Sequence, residues 1–175
     1  MNLKDLSKHL EIEDIDFRIQ SINKGGYATI LAYKDARVDM NRLDEVCTPL
    51  KWKREHLREN ANCIVSIYDD EKNQWVSKED TGNESMADAN KGLASDSFKR
   101  ACFNWGIGRE LYDYPVISIP LKADEMRKDA NGNVKATWKL KLRDWEWGAK
   151  FEDNKLVQLA AKDDLGELRF NWKLK

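Results

Sequence analysis

The stretch Ser77–Trp105, SKEDTGNESMADANKGLASDSFKRACFNW, determines how the rest of the chain is interpreted. Its first part predicts the end of a strand and a turn, with turn residues at Glu79, Asp80, Gly82 and Asn83. Its second part predicts a long helix, because apolar residues recur at helical spacing at Ala94, Phe98, Ala101, Cys102 and Trp105. Gly106 and Gly108 follow, as is typical of a helix end. The predicted helix therefore buries one side.

A different face of this helix is basic. Lys91, Ser95 and Lys99 lie four residues apart on it, and Arg100 lies beside them. Most charged helix faces are simply solvated, so spacing alone favours a solvated face over a binding surface.

Three strand-like runs precede the helix. They are Trp52–Leu57, Cys63–Tyr68 and Gln74–Lys78. A short polar turn joins the last two, which predicts an antiparallel hairpin. Together with the helix the runs make a β-β-β-α unit. The predicted fold class is therefore α+β, with an antiparallel sheet packed on a long helix.

An earlier helix is predicted from about Ala36 to Cys47, with Asp35 as its N-cap. Arg37 lies in its first turn, where a cation opposes the helix dipole by roughly a few tenths of a kcal/mol. An anionic ligand could hold Arg37 there. Pairing with Asp35 or Asn41 is the simpler interpretation.

The residues after 115 predict additional C-terminal strands. Lys122–Asn133 is highly polar and predicts an exposed loop, whereas Lys135–Arg143 alternates like a strand. Two further strands are predicted around Leu156–Leu159 and Leu168–Trp172. Of the tryptophans, Trp52, Trp75 and Trp105 are predicted to lie in the core.

Composition limits the functional classes. The chain has 175 residues, which favours a single domain. Its net charge is −1 with 35% charged residues, whereas a simple cationic nucleic-acid binder would be far more basic. Any DNA binding must therefore use a local groove. Three scattered cysteines and two histidines do not predict a metal site. No long apolar run appears, so a cytoplasmic protein without membrane association is expected.

Several sequence blocks occur in the order and spacing of a known family. They are Ala32–Arg37, Arg42–Val46 with Trp52, Glu79–Gly82, Lys91–Ala101 and Trp105–Tyr112. In these blocks the chain resembles the Rad fifty-two (Rad52) superfamily of single-strand annealing proteins, especially its phage Sak and bacterial DdrA types. The resemblance covers roughly residues 12–115 as a core, with a β-rich tail over about 116–175.

This resemblance implies a function. Members bind single-stranded DNA and anneal complementary strands without ATP, in homologous recombination and double-strand break repair. It implies no cofactor and no enzymatic activity. It also implies a homo-oligomer, ring or filament, with an exonuclease and a single-strand-binding protein as candidate partners. A phage origin would place the protein in the cytoplasm of a bacterial host.

The resemblance also implies which residues bind DNA. Residues that match Lys91, Lys99 and Arg100 line the family's DNA groove, and Arg37 falls within one position of a family arginine. Lys51 and Lys53 could join the DNA path, although lysines that protect a strand edge are an equal alternative. Phe103 replaces an arginine of some relatives and could stack on a base or belong to the core.

Two other functional classes stay open. A passive single-stranded DNA-binding protein would coat DNA without accelerating pairing. A metal-dependent nuclease would need carboxylates near a lysine. The best candidates for such a site are Glu79, Asp80 and Glu84 with Lys78, and a second acidic group is Asp69, Asp70 and Glu71. The absence of a P-loop or a nucleophile elbow disfavours an enzyme.

Overall fold

The computed structural model describes residues 2–83 and 89–175. It contains two α-helices, α1 (Ala36–Cys47) and α2 (Ala89–Asn104), within these residues. The strands in chain order are β1 (Asp16–Ile22), β2 (Tyr27–Tyr33), β3 (Trp52–Leu57), β4 (Asn62–Asp69), β5 (Gln74–Thr81), β6 (Ile117–Pro120), β7 (Met126–Lys128), β8 (Val134–Ala136), β9 (Glu146–Glu152), β10 (Lys155–Lys162) and β11 (Leu168–Lys173). All strand pairs are antiparallel. The predicted combination of helices and antiparallel sheets is confirmed.

The chain forms two compact units, and each is built from two separate segments. The first unit comprises Met1–His9 and Lys34–Arg109, and the second comprises Leu10–Tyr33 and Glu110–Lys175. No helix in the described part of either unit is long and apolar enough to cross a membrane.

The first unit contains the sheet β3-β4-β5, which α2 contacts through β4 and β5. Aromatic packing joins the helix to this sheet. The rings of Trp52 and Phe98 lie 6.2 Å apart, and the indole Nε1 of Trp105 donates to the carbonyl of Val65 at 3.0 Å. Phe98, Ala101 and Cys102 are fully buried. The predicted apolar stripe of α2 therefore does face the interior at these three positions.

Helix α1 has the predicted bounds and the predicted cap, since the Asp35 carboxylate accepts from the backbone N of Arg37 at 2.8 Å. Its buried positions are Asp39, Leu43 and Cys47, at a spacing of four residues. A carboxylate therefore occupies part of the buried face.

The predicted turn before α2 is wrong at its first two residues. Glu79 and Asp80 belong to β5, opposite Ile64 and Cys63 of β4. Acidic residues are tolerated in this strand because each has a partner: Asn62 donates to Glu79, and Arg100 donates to Asp80.

The prediction for Trp75 is also wrong, since this residue is 40% exposed. Its apolar surroundings in sequence suggested the core. Trp75 instead lies on the face of β5 opposite the one that α2 covers, because side chains alternate along a strand. There its ring contacts Tyr68 edge-on, with the centroids 5.3 Å apart.

The second unit holds the sheets β1-β2-β6 and β11-β10-β9. Buried residues of these sheets and of the segment just before β9 form one core: Ala28, Ile30, Ile117, Ile119, Leu142, Trp145, Leu156, Leu159 and Ala161. Rings of Phe17 and Trp147 stack beside it, 3.6 Å apart and nearly parallel. The predicted C-terminal strands are therefore present as β10 and β11, and β10 buries Leu156, Leu159 and Ala161 in this core.

Two predictions for the second unit need correction. Part of the predicted loop 122–133 is strand β7, which pairs with β8. The carboxylate of Asp129 closes their turn by accepting from the backbone N of Asn131 and Asn133 at 2.9 and 2.8 Å. The predicted strand over 135–143 ends at Ala136, and Trp138 beyond it is largely exposed. The alternation of apolar and polar residues over 135–143 therefore does not correspond to a strand with one buried face.

Candidate nucleic-acid interface

Arg37 is positioned by the first turn of α1. Its guanidinium Nε donates to the Asp35 carboxylate at 2.8 Å, as the simpler interpretation of the sequence predicted. This hydrogen bond, together with the one from the Arg37 backbone, lowers the pKa of Asp35. The arginine side chain is 80% exposed, so the ion pair is a surface pair worth about 0–1 kcal/mol. A phosphate could therefore compete with Asp35 for Arg37.

Lys99 of α2 lies near the same end of α1. Hydrogen bonds from Arg37 are the main cause of the lowered pKa of Asp35, and the positive charge of Lys99 adds to them. Burial raises the pKa of Asp39, and the charge of Lys99 acts against this increase, as the larger effect of Lys34 does. Lys99 forms no hydrogen bond or ion pair to a side chain in residues 2–83 and 89–175. Arg37 and Lys99, two predicted DNA-binding residues that are distant in sequence, thus both act on the Asp35 carboxylate.

A buried ion pair supports this end of α1. Asp39 of α1 is completely buried, and the Nζ of Lys34 binds both of its carboxylate oxygens. Burial raises the pKa of Asp39 to about 6, although Lys34 acts in the opposite direction. Because Lys34 and Asp39 neutralise each other, the cations that face solvent here are Arg37 and Lys99.

The other basic residues of α2 are arranged differently. Arg100 turns toward β5, where its Nε donates to Asp80 at 3.3 Å, and Asn104 donates to the same carboxylate at 3.1 Å. Arg100 is therefore tied to the sheet, although its side chain stays 40% exposed. Lys91 belongs to α2, but its side chain lies outside the described residues.

The two predicted lysines near β3 do not join the α2 cations. Lys51 precedes β3 and binds Asp70 of the β4–β5 turn region. Lys53 lies over the ring of Trp75, 4.6 Å from its centroid. Its neighbour Arg54 lies over Phe98 of α2, so alternation places Lys53 on the opposite face of the sheet.

The residues of the nuclease alternative are also engaged in structural contacts. Lys78 donates to the backbone carbonyl of Asn104 at 2.7 Å and so caps the end of α2. Asp69 accepts from the backbone of Glu71 and Lys72 in a turn. Glu84 lies outside the described residues. No group of three metal-ligating side chains occurs in the part of the chain that the structure describes.

Phe103 lies near the end of α2, partly buried, with the Arg109 guanidinium 5.8 Å from its ring centroid. Arg109 also donates to the carbonyls of Phe103 and Asn104. This arrangement stabilises the helix end, since cations favour helix C-termini.

The sequence prediction missed the buried Asp39 and assigned Asp80 to a turn, whereas Asp80 belongs to β5. The signal for Asp39 was its spacing, four residues before Leu43 and eight before Cys47, which places it on the buried face of α1. Asp80 could have been assigned to a strand only with knowledge of its partner Arg100.

Comparison with known proteins places these residues in a family context. Residues 2–130 match the model of the Rad52/22 family of double-strand break repair proteins. This range includes both helices, the β3-β4-β5 sheet and the four predicted α1 and α2 cations.

Two curated relatives carry the same name, single-stranded DNA-binding protein DdrA. The protein of Deinococcus radiodurans is 33% identical over 122 residues, which cover 66% of this chain and 58% of that protein. The protein of Deinococcus deserti is 38% identical over 90 residues, which cover 50% of this chain and 44% of that protein. The matched region thus spans about half the length of these relatives. No solved structure matches the chain.

Proposed function

Because the chain belongs to the Rad52/22 family of double-strand break repair proteins, we propose that it binds single-stranded DNA and anneals complementary strands without ATP. The observation that supports this most is the joint placement of Arg37 and Lys99 at the N-terminal end of α1, inside the matched region. We further infer that the β3-β4-β5 sheet and α2 are the working core, and that the chain acts as one DNA-binding domain.

The proposed mechanism needs phosphate contacts and little contact with bases. A second strand can test exposed bases for complementary pairing. Bases that are stacked on aromatic side chains would have to be released before they could pair. Arg37 and Lys99 supply cations, and Lys91 and Arg100 extend the proposed path along α2. Arg100 would bind a phosphate while it retains Asp80, because the guanidinium has five donors.

A single chain offers few such cations, so its own affinity for DNA would be weak. We propose that several chains assemble as a ring or filament, which multiplies the contacts along one strand. An exonuclease that exposes single strands, and a single-strand-binding protein that covers them, are the proposed partners. The proposal is not enzymatic, since pairing requires positioning and charge neutralisation and no bond is broken.

Replacing both Arg37 and Lys99 by alanine is expected to weaken binding of all single-stranded sequences alike. The logarithm of the binding constant should depend less steeply on the logarithm of salt concentration, by about 0.7 for each phosphate that is no longer neutralised. Fluorescence anisotropy of a labelled oligo-dT over a salt titration measures this slope. Lys4→Ala, which removes an exposed lysine of the same unit, is the control and should leave the slope unchanged.

A strand-annealing assay distinguishes the proposed function from its alternatives. Two labelled complementary oligonucleotides are mixed at a concentration where spontaneous pairing is slow, without nucleotide. Faster pairing with wild type, abolished in Arg37→Ala/Lys99→Ala, is the expected result. Binding without faster pairing would indicate a passive single-stranded DNA-binding protein. Strand cleavage on addition of magnesium would indicate a nuclease.

A further inference from the structure

The outer edge of β5 carries backbone groups that point away from the rest of its sheet. β5 is a terminal strand in the order β3-β4-β5, so one of its edges has no strand beside it in the described part of the chain. The backbone N of Gly82 donates to the carbonyl of Ala61 at 2.7 Å, at the end of the β4–β5 ladder. Backbone groups alternate in direction along a strand, so the even-numbered residues of β5 face β4. Trp75, Ser77 and Glu79 therefore direct their N–H and C=O groups to the free edge.

Two contacts of these residues agree with that assignment. The Nδ2 of Asn104 donates to the carbonyl of Glu79 at 3.1 Å, as expected for a carbonyl that β4 does not use. The hydroxyls of Ser66 and Ser77 lie 2.8 Å apart, as in the closely spaced pairs that exchange no backbone hydrogen bond. The other N–H and C=O groups of Trp75, Ser77 and Glu79 have no hydrogen-bond partner within residues 2–83 and 89–175.

β5 lacks the usual protections of an edge strand. Its eight residues contain no proline, and its register with β4 runs without a bulge. Its single lysine, Lys78, turns to α2 and donates to the carbonyl of Asn104 at 2.7 Å, so it does not guard the edge. The ring of Trp75 is partly exposed beside the open backbone groups. A regular edge of this length is a template for a second strand.

The sequence of β5 is self-complementary when two copies run antiparallel about a two-fold axis at Ser77. Ser77 then faces Ser77 of the second copy, and Trp75 faces Glu79 of the second copy. The remaining charged residues of β5 face uncharged ones, so like charges are not opposed. Glu79 of the second copy also comes beside Lys53, whose Nζ lies 4.6 Å from the centroid of the Trp75 ring. In this register the three edge-facing residues exchange backbone hydrogen bonds with the second copy.

We propose that two copies of the chain pair through β5 into one continuous sheet, and that this pairing holds two DNA strands with opposite polarity. The part that concerns DNA rests on the proposed function, since it assumes that α2 carries a strand. A two-fold axis perpendicular to the sheet reverses every direction that lies in the plane of the sheet. Because α2 packs on one face of that sheet, strands bound along α2 in the two copies run antiparallel, as base pairing requires. The pairing joins two chains, or two larger assemblies, each with one strand.

Ser77→Pro tests the pairing. It removes one N–H from the free edge and keeps the ladder with β4, because Ser77 donates no backbone hydrogen bond to β4. Ser77→Ala is the matched control, since it loses the same hydroxyl contact with Ser66 but keeps the N–H. In analytical ultracentrifugation without DNA, we expect Ser77→Pro to sediment with half the mass of wild type and of Ser77→Ala. Trp75→Pro against Trp75→Ala repeats the comparison at a second edge position, and circular dichroism verifies that each variant is folded.

The same variants test the consequence for annealing. Ser77→Pro should bind an oligo-dT of about 10 nucleotides within about twofold of wild type, because its α1 and α2 cations are unchanged. It should anneal complementary strands at least about tenfold more slowly, because the two bound strands are no longer held in one assembly. Ser77→Ala should anneal at the wild-type rate.

The outcomes separate this inference from the proposed function. A wild type that stays monomeric, or folded proline variants that keep the wild-type mass, would overturn the pairing through β5 and leave the α1 and α2 site in place. Half the mass with an unchanged annealing rate would overturn the antiparallel arrangement of the strands. Failure of wild type to bind oligo-dT would overturn the proposed function, whereas the mass comparison without DNA would still decide the pairing.

Discussion

Arg169→Met is expected to lower the free energy of unfolding by about 3–5 kcal/mol at pH 7, because it leaves the buried Glu125 carboxylate without its cation and leaves Asp163 with Lys122 alone. The side chain of Arg169 is 4% exposed and binds Glu125 with two parallel hydrogen bonds of 2.8 Å. It also donates to Asp163 at 3.2 Å and to the carbonyl of Pro120 at 3.0 Å. Its guanidinium thus joins β11, the end of β6 and the β10–β11 turn.

Urea unfolding followed by circular dichroism measures this decrease. Arg143→Met is the matched control: that side chain is 85% exposed and, among the described residues, pairs with Asp144 alone, so its removal should change stability by less than about 0.5 kcal/mol. Arg169→Lys should fall between wild type and Arg169→Met, since lysine keeps the charge but loses the two-pronged geometry. Equal stability of Arg169→Met and wild type would show that the cluster does not support the fold.

The loss of stability in Arg169→Met should also depend on pH. A hydrogen bond from Lys122 lowers the pKa of Asp163 to about 2, and hydrogen bonds from Arg169 and Lys122 outweigh burial and lower the pKa of Glu125. A lowered pKa contributes stability above the ordinary carboxyl pKa, and this stability disappears as the pH falls through the lowered value. In Arg169→Met, Glu125 has lost its cation and Asp163 one of its two, so both carboxylates take up protons more easily. The difference between wild type and variant should therefore shrink between pH 7 and pH 3.

Lys34→Met is expected to lower the free energy of unfolding by about 3–5 kcal/mol for a related reason, since Asp39 would keep an unpaired buried charge or have to take up a proton. The pKa of Asp39 is about 6 with Lys34 present and should rise further without it. A raised carboxyl pKa favours the folded state below that pKa, and this contribution is lost as the pH rises through it. The variant should therefore become more stable as the pH is lowered from 8 to 5.

The double variant Lys34→Met/Asp39→Leu tests this explanation, because replacing both members of a buried pair by apolar residues is often neutral. Its stability should return close to that of wild type. Lys8→Met is the control, since Lys8 is well exposed and pairs with Asp5 on the surface. If the double variant were as unstable as Lys34→Met, the cause would be the missing packing of the lysine stem.

Local patterns predicted helix α1 and strands β3 and β4 well. The bounds of α1 follow from the cap at Asp35 and from helical spacing, and both are properties of neighbouring residues. The antiparallel β4–β5 hairpin followed from two apolar runs and a polar turn. The incorrect predictions concern residues whose secondary structure depends on partners that are distant in sequence. Asp80 extends β5 because Arg100 binds it, and Met126–Lys128 forms a strand because β8 pairs with it.

The candidate site was predictable only in part. The pairing of Arg37 with Asp35 was visible in sequence, because both residues lie in one helical turn. The approach of Lys99 to the same turn was not, since it depends on how α1 packs on α2.

The interleaved segments of the two units affect how the chain folds during synthesis. Strands β1 and β2 emerge from the ribosome before the larger segment of the first unit, but their sheet is completed only by β6, after the last residue of that unit. The first unit can close once residues up to Arg109 are available. Closing the long intervening loop costs little extra entropy, because this cost grows only logarithmically with length. During the delay, the unpaired edge of β2 is exposed to other nascent chains, so aggregation should be greatest before β6 is made.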